Sequence, residues 1–281
     1  MKLVRFGAKG AEKPGILDAD GAIRDLSGIC SDFTDAGVSI DALNKIRALD
    51  PKALPLAPAG ARLGPVIGRV NNFIAVGLNY VDHAHESNLP IPKEPILFNK
   101  APSTLAGPYD DVVIPPGSLK SDWEVELAII IGKPAYQIAE ADALAHVAGF
   151  AVCNDLSERA WQTEGTGQWV KGKSAPGFGP LGPWLVTPDE IADIQALPMF
   201  LDLNGKRVQT GNTSTMIFGA AFIVAYISKF LLLEPGDVIT TGTPPGVGMG
   251  MKPPVFLKPG DTMHLGITGL GEQRQTCVAY S

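Results

Sequence analysis

The chain has 281 residues, 45% hydrophobic and 19% charged, a balance that supports a sizeable globular core in one large domain or in a small and a larger one. Its formal net charge of −6 leaves no basic footprint for nucleic acid. Cys30, Cys153 and Cys277 lie far apart with neither disulfide nor zinc spacing, which fits a reducing cytosol, and the opening MKLVRFGAKG lacks the apolar stretch of a signal peptide.

Residues 1–65 read as a small α+β domain. Lys2 to Phe6 and Gly15 to Asp25 predict short strands with a turn at Asp18 to Gly21, and Ser39 to Leu49 predicts a helix capped by Ser39. The Pro/Ala run from Pro51 to Gly60 is stiff and extended, and it separates this part from a larger domain over residues 70–281.

Phe73 to Gly77 predicts a buried strand, opening into Leu78 to Glu86. If that segment is helical, His83 and Glu86 share a face, and a carboxylate beside an imidazole suits a general base; a solvated polar face is the alternative. The strand within Glu94 to Ser103 delivers Lys100 to a loop, where it is a candidate substrate-binding group. After a short strand at Val112 to Ile114, the run Asp122 to Gly132 (DWEVELAIIIG) predicts a further strand. Its period of two puts Glu124 and Glu126 on one face beside core-forming residues. Two adjacent carboxylates resist full ionisation, and a hard cation relieves them; a solvent-facing polar strand edge is the competing reading.

Ala139 to Ala148 predicts a helix ended by Gly149, followed by an apolar strand at Phe150 to Cys153. Asp155 at that strand's end is a third oxygen ligand for a cation. Helical spacing from Leu156 onward stands Arg159 and Gln162 on one face above it, with Arg159 a natural clamp for a substrate carboxylate. Lys173 either neutralises the carboxylates or binds substrate, or is an ordinary surface lysine.

Phe178 to Thr187 is Pro-punctuated and ends in a strand, and Leu201 to Val208 predicts a hairpin turning at Asn204-Gly205. Met216 to Leu233 is apolar enough to raise the question of a membrane span. Ser228 and Lys229 interrupt it and Pro235-Gly236 stops it, so a buried core helix is expected. Gly236 to Gly248 predicts a strand running into a Gly/Pro loop, whose N–H groups and Thr243 hydroxyl suit an anion; it lacks the dinucleotide and Walker spacings. A strand at Thr262 to Ile267 closes the domain.

From Phe73 onward the chain resembles the fumarylacetoacetate hydrolase family. The resemblance rests on an ordered set of short motifs: G-L-N-Y-x-x-H-x-x-E at Gly77 to Glu86, D-W-E-V-E-L at Asp122 to Leu127, N-D-x-S-x-R-x-x-Q at Asn154 to Gln162, G-K-S at Gly172 to Ser174, G-N-T-S-x-M-I-F at Gly211 to Phe218 and T-G-T-P-P-G-V-G at Thr241 to Gly248. It implies a β-rich α+β fold, a mixed β-roll behind the small N-terminal domain. It also implies a divalent metal, Mg²⁺ or Mn²⁺, on Glu124, Glu126 and Asp155, with Asn79 standing near where larger members add a fourth carboxylate. His83, Glu86 and Lys173 fall on the family's catalytic positions, and Arg159, Gln162 and Thr243 on its substrate-binding ones.

The implied activity is hydrolysis of the C–C bond of a 2,4-diketo acid, in the subgroup that acts on 2,4-diketo-3-deoxy sugar acids, giving pyruvate and a hydroxy acid. Ureidoglycolate lyase, decarboxylation or isomerisation are the alternatives within the family, and a non-catalytic metal-binding relative is the alternative outside enzymes. The resemblance further implies a cytoplasmic homodimer acting on a small-molecule substrate, without a nucleic-acid or membrane partner.

Overall fold

The computed structural model of the protein describes residues 1–86 and 90–281. The fold is the expected strand-rich α+β type. A ten-stranded sheet runs in the order Ile23–Asp25, Lys13–Leu17, Lys2–Phe6, Gly179–Val186, Val147–Asn154, Val125–Ile131, Val238–Thr240, Phe73–Gly77, Ile96–Lys100, with Leu105–Ala106 attached to Gly179–Val186. A five-stranded sheet, Lys206–Asn212, Pro198–Leu203, Thr262–Ile267, Gly271–Ala279, Val112–Ile114, packs against it, and Ser121–Asp122 forms a short ladder with Ser157–Glu158.

The central strand Val125–Ile131 is buried along its whole length, because neighbours pair with both edges and apolar layers cover both faces. Alternation divides its side chains between two cores. Val125, Leu127, Ile129 and Ile131 join the core beneath the helix Ala220–Ser228, whereas Ala128 and Ile130 join Phe33, Leu43, Ile46 and Val66 of the N-terminal part. Glu124 and Glu126 have the parity of this second face. In the antiparallel neighbour Val147–Asn154, Cys153 lies opposite Glu126, and the next residue of the same parity, Asp155, donates its N–H to Glu124 O at 2.9 Å. Register therefore brings the three acidic residues to one end of one sheet face.

The N-terminal strands continue this same sheet, since Lys2–Phe6 pairs antiparallel with Gly179–Val186. The helix Ile40–Arg47 forms with Ser39 as its cap, accepting from Ala42 N at 3.2 Å. The hairpin turns at Asn204 and Gly205, both with φ above zero.

Three expectations change. The helix expected over Ala139 to Ala148 is a 3₁₀ segment, Glu140–His146, and the next strand already begins at Val147. Gly149 is thus inside a strand rather than a stop, at a close approach of backbones where a Cβ would stand 2.5 Å from Val186 O. The apolar stretch from Met216 gives only the helix Ala220–Ser228, and no helix among the described residues is long and apolar enough to cross a membrane.

Candidate active site

Carboxylate oxygens of Glu124, Glu126 and Asp155 lie within 4.8 Å of one another, and all three residues are buried. They sit among cations. Lys173 Nζ is 2.5 Å from Glu124 Oε2 and 2.7 Å from Asp155 Oδ2, and Lys100 Nζ is 2.5 Å from Asp155 Oδ1. Arg159 donates through Nη2 to Glu124 Oε1 at 2.7 Å, through Nε to Asp122 Oδ2 at 2.8 Å and through Nη1 to Gln162 Oε1 at 3.0 Å. Lys100, Arg159 and Lys173 thus face Asp122, Glu124, Glu126 and Asp155, three positive groups against four carboxylates.

The imbalance falls on Glu126. Burial raises its pKa, and the charges of Asp155 and Glu124 push it further, to well above the ordinary range; only Lys173 and the N–H of Gly242, 2.8 Å from Oε2, act the other way. Glu124 behaves oppositely. Burial would raise it, but Lys173 and Arg159 together draw it down to about 2. Burial would lower Lys173, yet Asp155 and Glu124 outweigh that and raise it. Three converging carboxylates, one of them held against its own ionisation until a further positive charge arrives, form an all-oxygen donor set. That chemistry fits a hard divalent cation.

The cluster opens into a pocket of about 200 Å³ lined on its polar side by His83, Glu124, Glu126, Arg159, Gln162 and Lys173, with Gly242 and Thr243. On its other side Phe98 and Trp169 meet edge to face at 5.3 Å, and Lys173 Nζ stands 5.1 Å from the Phe98 ring centre. Trp169 takes the space a side chain at Gly77 would need, since a Cβ there would lie 2.4 Å from Trp169 Cζ3. His83 is on the helix Val81–Glu86, its Nδ1 3.2 Å from Glu86 Oε2. Gly246 N donates to both Glu86 oxygens, at 3.0 and 3.2 Å. Burial would raise Glu86, but the bonds from His83 and Gly246 hold it below the ordinary carboxylate range.

Not every candidate faces the pocket. Lys100 is 1% exposed and lies behind Asp155, its ammonium satisfied by that carboxylate and by the carbonyls of Lys173 at 2.6 Å and Leu156 at 3.3 Å. Thr243 lines the pocket, but here its hydroxyl donates to Val125 O at 2.9 Å and accepts from Gln209 Nε2 at 2.8 Å. Asn79 ties the chain together: its amide donates to Phe218 O and Thr241 O, and its Oδ1 accepts from Phe218 N. Sequence reasoning passed over Asp122, Phe98 and Trp169. Asp122 shares the alternation of Glu124 and Glu126, which was the available signal; nothing in the sequence marks the other two.

The fumarylacetoacetate (FAA) hydrolase C-terminal family matches residues 72–278 of this chain. A protein of Burkholderia ambifaria (strain MC40-6), assigned to the hydrolases by name alone, is 56% identical over 277 residues, 98% of each chain. Among solved structures, the fumarylacetoacetate hydrolase of Exiguobacterium antarcticum is 35% identical with a TM-score of 0.88, covering all of both chains. The maleylpyruvate hydrolase of Sphingobium sp. SYK-6, in complex with manganese(II) ion and pyruvate, is 29% identical with a TM-score of 0.82, again over the whole of both.

Proposed function

The chain belongs to the fumarylacetoacetate hydrolase family, and from that premise we propose that it is a divalent-metal-dependent hydrolase that cleaves a 2,4-diketo acid to pyruvate and a second carboxylic acid. The observation that carries this reading is the convergence of Glu124, Glu126 and Asp155, the first two of which line a pocket that also takes in His83. The similarity to a maleylpyruvate hydrolase in complex with manganese(II) and pyruvate supports the same product and a cation of the same kind. The sequence resemblance favours a 2,4-diketo-3-deoxy sugar acid as the substrate, in which case the second product is a hydroxy acid.

Glu124, Glu126 and Asp155 would hold a Mg²⁺ or Mn²⁺ ion, which would supply Lewis-acid polarisation of the substrate, an effect worth several kcal/mol in such enzymes. The chain's own groups do the rest. Arg159 has engaged three of its N–H groups, so those remaining are open to the substrate carboxylate, with Gln162 fixed beside it. Thr243 assists there after its hydroxyl proton turns from Val125 O. Glu86 accepts from His83 Nδ1, and His83 Nε2, which has no hydrogen-bond partner among the described residues, takes the proton from water. The resulting hydroxide adds to the C4 carbonyl, the C3–C4 bond breaks, and the proton held on His83 passes to C3. The products are pyruvate and the acid carrying the old C4.

His83→Ala should lower turnover of an acylpyruvate by roughly 10²–10⁴-fold, with Mn²⁺ affinity unchanged by calorimetry. Wild-type turnover in that variant would remove His83 from the reaction. The isomerase reading keeps a specific support, because the 5-carboxymethyl-2-hydroxymuconate delta-isomerase of Mycobacterium smegmatis is 27% identical with a TM-score of 0.78. Product analysis separates the two: hydrolysis releases pyruvate, and isomerisation releases nothing.

A further inference from the structure

Asp122 has no part in the reaction just drawn, yet it is wholly buried and fully engaged. The ladder between Ser121–Asp122 and Ser157–Glu158 sets it opposite Ser157 and within reach of Arg159. Its Oδ1 accepts from Trp123 N at 2.8 Å and Gly248 N at 2.7 Å; its Oδ2 accepts from Met249 N at 3.0 Å and Arg159 Nε at 2.8 Å. Charge-assisted bonds of this kind are among the stronger ones available to a buried carboxylate, and they fix whatever donates. Glycine at 248 is what allows the approach, since a Cβ there would stand 2.8 Å from Asp122 Oδ1 and 2.0 Å from Val255 O.

The donors belong to two different parts of the site. Arg159 also holds Glu124 and Gln162. The turn Gly248–Gly250 contributes Met249 to the pocket wall and follows Gly246, whose N–H holds Glu86 and whose carbonyl accepts from Trp123 Nε1 at 3.1 Å. Glu86 in turn holds His83. A single carboxylate therefore stands between the acidic cluster and the helix that carries the base.

We infer that Asp122 is a positioning residue that ties the order of the Val81–Glu86 helix to the acidic cluster, a role that rests on the assignments proposed for that cluster and for His83 and Glu86. Asp122→Asn is the natural test. The asparagine oxygen accepts about two hydrogen bonds, and its amide turns N–H toward the remaining donors, so at least one arm must let go.

In the folded variant, amide exchange should become about tenfold faster or more across residues 246–250 and at Ala84, whose N–H bonds to Tyr80 O ahead of Glu86. Mn²⁺ affinity should fall, and kcat for an acylpyruvate should fall more than KM rises. Faster exchange at 246–250 with Ala84 unchanged, or an unchanged Mn²⁺ affinity, overturns the link. If Asp122→Asn does not fold, Met249→Pro deletes one loop donor without touching Arg159. Exchange at Ala84 should then rise with Mn²⁺ affinity retained, and unchanged exchange there overturns the inference equally. Exchange needs neither metal nor substrate. A wild-type chain that bound no Mn²⁺ and turned over no acylpyruvate would sink the functional reading, while the exchange rates would still decide the role of Asp122.

Discussion

Lys173 concentrates the charge problem of the site in one side chain. Its buried ammonium bridges Glu124 and Asp155, and removing one partner of a buried pair leaves the other uncompensated, at a cost of about 3–5 kcal/mol. Lys173→Met should therefore lower the melting temperature of the metal-free protein, and Mn²⁺ should raise it by more than in the wild type, because added cation replaces the lost one. Equal melting temperatures without metal would contradict this account of the cluster. At this scale the acidic residues were legible. A period of two marks Glu124 and Glu126, and a strand end marks Asp155. The cations were less so. A buried lysine runs against the ordinary exposure of that residue type. Lys100 reaches Asp155 across 55 positions of chain, so its place behind the carboxylate, away from the pocket, is a matter of tertiary packing.

The two short helices Arg159–Thr163 and Trp169–Lys173 carry Arg159, Gln162 and Lys173, and they touch at Gly172. A Cβ at Gly172 would lie 2.4 Å from Glu158 O and 2.5 Å from Gln162 N, both backbone atoms that cannot swing aside. Gly172→Ala should push the helices apart, with loss of Mn²⁺ affinity and of turnover together. Wild-type behaviour in both assays would show that the contact gives way at no cost to the site. The glycine of the G-K-S motif thus has a packing reason that the motif alone does not reveal. Element boundaries were the weakest part of the sequence reading, and for local reasons. The run around Ala139 to Ala148 has helical composition but winds as 3₁₀, because Val147 is claimed early by the sheet, pairing with Ile131. Apolar content continues through Phe230, Leu231 and Leu232, but these residues are exposed beyond the end of the Ala220–Ser228 helix, so hydrophobicity overstated its length.

Across the whole molecule, the N-terminal residues are bound to the rest by pairings no local signal announces. Besides the Lys2–Phe6 ladder, Arg62 grips Asp110 through two bonds, at 2.8 and 2.6 Å, and Glu12 through one at 2.8 Å. Burial would raise both carboxyls, but Arg62 together with the Gly107 N–H at Asp110 and Arg5 at Glu12 holds them below their ordinary values. A carboxyl depressed in the fold contributes stability that is present above its unfolded pKa, near pH 4, and is lost as pH falls through the folded value. Arg62→Ala should accordingly flatten the acid limb of the stability curve below about pH 4 while also lowering stability at neutral pH; an acid limb identical to the wild type would separate this clamp from acid unfolding. The most direct test of the account is Mn²⁺ titration of the wild-type chain and of Glu126→Gln by calorimetry. Glu126 takes no lysine or arginine partner among the described residues, so its exchange for glutamine removes a ligand without breaking an ion pair. The account predicts one ion per wild-type chain and affinity reduced by an order of magnitude or more, roughly 1.4 kcal/mol, in the variant. Equal affinity in the two proteins would place the cation elsewhere and contradict it.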